Sequence, residues 1–323
     1  MYKIVYIILY FGCLPNNFQL YLKSCKYNST VDWLIFTDDN TEYDYPENVR
    51  VEYTSFDEIS KFIAKNFEYD IVLDRPYKLC TYKPAYGQIF KDYIKEYDFW
   101  GHCDADMLWG DIRKFYTDEV LSKYDKIGVQ GHSTLYRNND EVNSRYKLPV
   151  NGVSLFEKEA KSKGVDCFDE VGMKQIYEVY GWDFYNEVHF AHPSALNYNF
   201  KLKHLPDDEE YKNKSQVFTW ENGKLERVYV HNGNIYREEF MYIHFFRRVM
   251  DICASVDDDY LILPHKIVAL QRNNITVEYI NENSKESRIK YYMRLIRDKR
   301  RLGKFKLNYI VPSVISRIKK FGK

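Results

Sequence analysis

A chain of 323 residues, 45% hydrophobic and 29% charged, has the composition of a globular protein and the length to bury a sizeable core. Its six cysteines (Cys13, Cys25, Cys80, Cys103, Cys167, Cys253) are scattered without a C-x-x-C pair, which argues against a disulfide framework and a cysteine zinc site and for a reduced, cytosolic compartment. The formal net charge of zero hides an asymmetry: residues 285–323 hold 14 Lys and Arg against two acids, a net of +12, and the other 284 residues, with 33 against 45, hold −12.

Residues 3–10 read as a buried first strand. The apolar stretch is too short, and lacks the small-residue cleavage site, for a signal peptide. No run of 18 apolar residues occurs, so no transmembrane helix is expected. Phe18, Leu20, Tyr21, Leu22 and Cys25 recur at helical spacing, and Val31–Phe36 is a second strand. Strand, helix, strand in so few residues is a βαβ unit, which predicts a parallel sheet. A third strand over Val49–Tyr53 and a helix over Phe56–Asn66, capped by Ser55 or Asp57, follow. Pro84 opens a helix that runs to about Glu96. Next come a strand over Phe99–Cys103, a helix over Ile112–Tyr124, a strand over Lys126–Val129 and a loop or strand over 131–138. Helices are expected around 141–147 and 170–180, and strands around 216–230 with a hairpin at Asn222-Gly223. Glu239–Phe246 is an aromatic strand delivering His244, and Tyr260–Leu263 one more strand. With no repeat and no Gly/Ser linker, the expected organisation is one α/β domain over 1–284 followed by a basic tail over 285–323.

The stretch that carries chemistry is Asp104-Ala105-Asp106, behind the apolar strand and ahead of Trp109-Gly110-Asp111. In a strand the two carboxylates share a face, and in the turn that ends one they converge on a cation. Hard oxygen ligands at this spacing suit Mg²⁺ or Mn²⁺. A bare Asp-x-Asp is more often a solvated turn, so the surrounding chain decides. There is no G-x-G-x-x-G, no P-loop and no G-x-S-x-G elbow, so NAD dehydrogenase, P-loop NTPase and α/β-hydrolase readings fall. His189 and His192 lie three apart with no third ligand nearby in sequence and read as structural. The apolar pattern of the tail disfavours nucleic acid as a partner.

With those absences, the sequence resembles a GT-A glycosyltransferase. More closely, it resembles a family of bacterial proteins first catalogued as a domain of unknown function, through Tyr10-Phe11-Gly12, Asp32–Asp38, Pro76–Cys80, Lys83–Gly87, Tyr97–Phe115 and Tyr242–Phe245. The resemblance covers roughly residues 3–250. It implies a Rossmann-like, mixed, mostly parallel sheet flanked by helices, with a donor half at about 1–130 and an acceptor half at about 131–284. It implies a hexosyltransferase taking a nucleotide-sugar, UDP-sugar favoured, to a saccharide or lipid-linked saccharide in surface-polysaccharide assembly. Asp104 and Asp106 would hold Mn²⁺ or Mg²⁺ with His244 as a third ligand, against the alternative of a core histidine. The Asp104-Ala105-Asp106 turn, Tyr10, Phe11, Thr37, Asp38, Lys78, Lys83 and Arg247 would line the donor. For Thr37 and Asp38 a capped turn, and for the lysines plain surface, remain open. Asp169 and Glu170 are the candidates for an acceptor base, with helix capping as their other reading, and retention or inversion is undetermined.

The basic tail, with apolar residues among its charges, has the pattern of a segment lying on an anionic membrane surface. A helix folded against the acidic body fits equally. The implied location is the cytoplasm, peripheral on the inner face of the plasma membrane. Two rivals remain. One is a catalytically silent sugar- or partner-binding module. The other is a haloacid-dehalogenase-type phosphatase using Asp257-Asp258-Asp259; that pattern needs Thr or Val where Leu108 stands, and its acidic pair after the first strand.

Overall fold

A computed structural model describes residues 1–193, 198–204, 209–246, 248 and 250–301; Arg247 and residues 302–323 of the predicted tail lie outside these. In chain order the strands are β1 (Ile4–Tyr10), β2 (Val31–Thr37), β3 (Val49–Tyr53), β4 (Phe99–Cys103), β5 (Met107–Trp109), β6 (Lys126–Gln130) and β7 (Ser133–Arg137). They continue as β8 (Pro149–Val150), β9 (Val153–Ser154), β10 (Phe190–Ala191), β11 (Gln216–Glu221), β12 (Lys224–His231) and β13 (Asn234–Phe240). The last four are β14 (Tyr242–His244), β15 (Asp251–Ile252), β16 (Tyr260–Leu263) and β17 (Lys266–Ala269). Two compact units result, the first made of residues 1–192, 220–225 and 239–244, the second of 193–219, 226–238 and 245 onward.

The first unit is built on a six-stranded sheet in the order β3-β2-β1-β4-β7-β6. Strands β1, β2, β3 and β4 run parallel, and β7 is antiparallel to both β4 and β6. This is the α/β class, mixed and mostly parallel with flanking helices, that the sequence leads one to expect. The central strands are apolar on both faces because both faces are covered. Ile4, Tyr6 and Ile8 of β1 join Phe99 in one core, while Val5 and Ile7 join Trp100, Leu34 and Phe36 in the other. Helix α1 (Phe18–Lys26) buries Phe18, Leu20, Tyr21, Leu22 and Cys25. Helix α2 (Phe56–Ala64) starts from a reciprocal Ser55–Glu58 capping box.

The predicted elements differ from those observed at four places. The helix expected over 112–124 is two, Ile112–Phe115 and Asp118–Lys123, because Asp111 and Thr117 each cap a new start. The helix expected from Pro84 is a 3₁₀ run, Pro76–Ala85, followed by single turns Tyr86–Ile89 and Lys91–Ile94. The helix near 170 opens with one π-helical turn, Phe168–Gly172, before Met173–Tyr180. The aromatic strand expected over 239–246 is broken, and its second piece, β14, pairs with β10 and β5 in a separate three-stranded sheet.

The second unit holds most of the sheet β13-β12-β11-β16-β17-β15, with a core of Val217, Val228, Leu261, Leu263 and Ile280. Hairpins at Asn222-Gly223 (φ +49° and +82°) and Asn232-Gly233 (φ +48° and +73°) use the left-handed pairs that type I′ turns require. Its helix Arg288–Arg301 buries Tyr291 and Arg294, the latter 2.8 Å from Glu286, and exposes Ile289 and Met293. Among the described residues no helix is long and apolar enough to cross a membrane.

Candidate functional site

The strand order places β1 at a switch point: the chain leaves β1 on one side toward β2 and on the other toward β4. Open α/β sheets bind ligands outside the carboxyl ends of their strands at such a point. Here those ends carry Tyr10 on β1, Thr37 on β2 and Asp104 directly after β4. In the Asp104-Ala105-Asp106 turn, Ala105 is buried in the core while the flanking carboxylates are 35% and 32% exposed. The turn therefore anchors its middle residue and presents its outer two.

His244 reaches the same place through strand pairing. Antiparallel pairing of β14 with β5 sets His244 opposite Met107, the residue after Asp106. Its Nε2 lies 3.1 Å from Asp106 Oδ1 and 3.6 Å from Asp104 Oδ2. One donor atom from each of the three falls within 4.8 Å of the others. Adjacent ligand atoms on an octahedral ion at about 2.1 Å are about 3 Å apart, so the set fits a small divalent cation. Burial would lower the pKa of His244, yet Asp106 and then Asp104 hold it above the usual value.

On the other side of Asp104 stands Lys83, buried, its ammonium 2.8 Å from Asp104 Oδ1, 2.7 Å from the Gly131 carbonyl and 4.0 Å from Asp169 Oδ2. Burial works against its charge, but Asp104, Cys80 and Asp169 keep the pKa well above the ordinary range. Asp169 sits on the π-helical turn, 5% exposed, and burial pushes its carboxyl up to about 6 against the opposing charge of Lys83. Glu170 accepts a 2.7 Å hydrogen bond from the Gly131 N–H. A Cβ on Gly131 would fall inside contact distance of Asp169 Oδ2 and 3.1 Å from Glu170 Oε1, so a side chain there would have to displace both carboxylates.

The remaining sequence candidates separate. Tyr10 is half-buried, and burial followed by the charge of Asp106 pushes its phenol up to about 12, which sets it beside the acidic pair. Phe11 packs edge-on against Phe56 at 5.6 Å. Thr37 is fully buried and accepts from the Asp39 N–H, while Asp38 accepts from the Gly12 N–H at 2.7 Å and so ties the β2 end to the loop after β1. Lys78 is buried with its ammonium on the Glu159 and Gly164 carbonyls, at 2.8 and 2.5 Å. Arg247 is outside the described residues.

Several participants escape the sequence reading. His192, set aside with His189, stands 3.3 Å from His244, and His132 stands 3.3 Å from His192. Tyr242 OH is 2.9 Å from His132 Nδ1. His189 instead meets the Tyr185 hydroxyl at 2.6 Å. The only signal for His132 is its place just before β7, the partner of β4; its carbonyl accepts from the Asp104 N–H at 3.1 Å. Lys126, on β6, is buried among Tyr136, Tyr177 and Phe184, and burial pushes it down to about 7.

The family of unknown function DUF6625 matches residues 6–271. No curated protein matches the sequence. Among solved structures, the apo form of mouse xyloside xylosyltransferase 1 is similar at 10% identity and a TM-score of 0.35, over 59% of this chain and 88% of that one. The galactosyltransferase LgtC, in complex with donor and acceptor sugar analogues, is similar at 9% identity and a TM-score of 0.38, over 75% of this chain and 86% of that one.

Proposed function

The chain belongs to the family of unknown function DUF6625, and from the acidic pair and imidazole at the switch point of its sheet we propose that it is a metal-dependent glycosyltransferase of the GT-A kind. Its donor is a nucleotide-sugar, UDP-linked by preference, and its acceptor a saccharide or lipid-linked saccharide of surface-polysaccharide assembly. One observation carries the reading. Asp106 and His244, 138 residues apart, converge with Asp104 at the carboxyl ends of parallel strands.

Asp104, Asp106 and His244 Nε2 hold Mn²⁺ or Mg²⁺, with the imidazole favouring Mn²⁺. Bound there, the cation supplies Lewis-acid charge to the departing diphosphate. The Lys83 ammonium fixes Asp104 through Oδ1 and leaves Oδ2 toward His244. Tyr10 at the end of β1, Phe11 after it and Asp38 after β2 take the base and ribose, while Thr37, fully buried on the Asp39 N–H, only shapes the end of β2. Asp169 is the group suited to accept the acceptor's proton, because a base works best with a pKa near the working pH. Glu170 holds the π-helical turn to Gly131. Lys78 has no part, since two carbonyls already take its ammonium. A lipid-linked acceptor sets the enzyme in the cytoplasm against the inner membrane face.

Thermal-shift measurement with UDP-, GDP-, CMP- and dTDP-sugars, with and without Mn²⁺, tests this. The expected result is stabilisation by a UDP-sugar only with Mn²⁺, abolished by Asp104→Asn and by Asp106→Asn. Metal-independent binding that survives both substitutions overturns the reading. Binding without transfer or donor hydrolysis identifies a silent sugar-binding module.

A further inference from the structure

Behind the acidic pair lie three imidazoles, His132, His192 and His244, only 4%, 5% and 3% exposed. They come from three distant segments: the turn before β7, the residue after β10 and the end of β14. His192 Nδ1 is 3.3 Å from His244 Nδ1 and 3.3 Å from His132 Nε2. Two nitrogens on one tetrahedral Zn²⁺ at about 2.1 Å are about 3.4 Å apart. The ring centroids are separated by 5.2, 5.0 and 4.4 Å. Imidazoles aimed at a shared ion at that bond length have centroids about 5.2 Å apart at the tetrahedral angle and about 4.5 Å apart at a right angle. Both sets of distances therefore agree with convergence on one point. A hydrogen-bonded stack accounts for them less well, since both contacts to His192 Nδ1 are long and that atom carries either one proton or one lone pair.

The outer nitrogens already have the partners that metal-bound histidines use. His244 Nε2 faces the Asp106 carboxylate at 3.1 Å, and His132 Nδ1 faces the Tyr242 hydroxyl at 2.9 Å. We propose that His132 Nε2, His192 Nδ1 and His244 Nδ1 form a second cation site, made of imidazole nitrogen alone and suited to Zn²⁺ or a similar borderline d-block ion. Three nitrogen ligands leave one tetrahedral position open.

His244 is shared between this site and the carboxylate site, on opposite nitrogens. A neutral ring has one lone pair, so an ion on Nδ1 leaves the proton on Nε2, where Asp106 accepts it. Zn²⁺ at the histidines thus withdraws the imidazole from the carboxylate site and weakens Mn²⁺ there. That consequence, unlike the site itself, rests on the proposed function.

The test strips the full-length chain of metal and titrates Zn²⁺ against a chromogenic chelator. One Zn²⁺ per chain is expected, retained in Asp104→Asn and weakened at least about a hundredfold in His132→Ala and His192→Ala, beyond what a change outside the ligand set costs. Co²⁺ added to the unmutated chain should give the intense visible bands of a low-coordinate nitrogen site, a readout that does not depend on a variant folding. Absence of Zn²⁺ binding, absence of those bands, or Zn²⁺ lost in Asp104→Asn but kept in His192→Ala overturns the site. Mn²⁺ bound to the chain is followed by electron paramagnetic resonance, and one equivalent of Zn²⁺ should lower its affinity. Unchanged Mn²⁺ affinity overturns the shared-ring consequence. Zn²⁺ held by the histidines in a chain that never binds Mn²⁺ upholds this site and removes the carboxylate reading.

Discussion

Asp169 and His244 are both titratable and buried, and their pH behaviour has opposite consequences. An unfolded aspartate titrates near 3.9, whereas burial pushes Asp169 up to about 6. Between those values the unfolded chain releases the proton first, so stability falls as pH rises through the window and stays lower above it. Two units are worth about 3 kcal/mol at most. Asp169→Asn should therefore raise the unfolding free energy by about 1–3 kcal/mol at pH 7.5 and by little at pH 4, read from urea titrations. An equal gain at both pH values would show that the carboxyl is not the source. The same variant should lose at least about a hundredfold in transfer, as general-base removal does.

For His244 the shift matters through metal binding. Asp106 and Asp104 hold its proton on against burial, and a cation on Nε2 has to displace that proton. Mn²⁺ affinity should thus drop as pH is lowered from 8 to 6, approaching tenfold per unit below the imidazole pKa. Resonance titrations at several pH values measure this, and a flat profile would exclude His244 Nε2 from the ligand set.

At the scale of elements, the parts legible in the sequence are those buried on both faces. Strands β1, β2 and β4 announce themselves as apolar runs, and the acidic turn after β4 stands out because a charged pair interrupts one. Lys78 and Lys83 could not be told apart, because both lie in a 3₁₀ run whose geometry only tertiary packing fixes: one ends on two carbonyls, the other on Asp104. His132 was invisible because its relation to Asp104 exists only through β4–β7 pairing. The π-helical turn is a local insertion with no periodic signal, and Gly131 packs closely against its two carboxylates. Gly131→Ala would drive a methyl into Asp169 and Glu170 and break the Glu170 link to the backbone. A cost of roughly 1–3 kcal/mol is expected from overpacking, with loss of transfer, while Mn²⁺ affinity stays within about threefold because neither carboxylate of the turn is touched. Calorimetry with the same resonance titration checks both, and an unchanged melting temperature would mean that the turn is not seated by this contact.

The charge asymmetry belongs to the whole molecule. Within the second unit, the helix Arg288–Arg301 is fastened by buried Tyr291 and by the Arg294–Glu286 pair, and it leaves Ile289 and Met293 exposed. Residues 302–323 add six Lys and Arg and no acid, interleaved with Leu302, Phe305, Leu307, Ile310, Val311, Val314 and Ile315. Each basic residue near an anionic surface contributes about 1 kcal/mol, attraction that neutral lipid cannot supply and that salt screens. Deletion of 302–323 spares Tyr291, Arg294 and Glu286, the groups that fasten the helix. The truncated chain should sediment with vesicles containing anionic lipid at least about tenfold less than the full chain, the loss expected from one or two such contacts alone. The melting transition of the truncated chain is recorded alongside, to show that it is folded. Binding of the full chain should fall as salt is raised from 50 to 300 mM and should be absent on neutral vesicles. Equal sedimentation of the two chains would assign the basic segment to contacts within the protein, and the acceptor would then have to be sought away from a lipid surface.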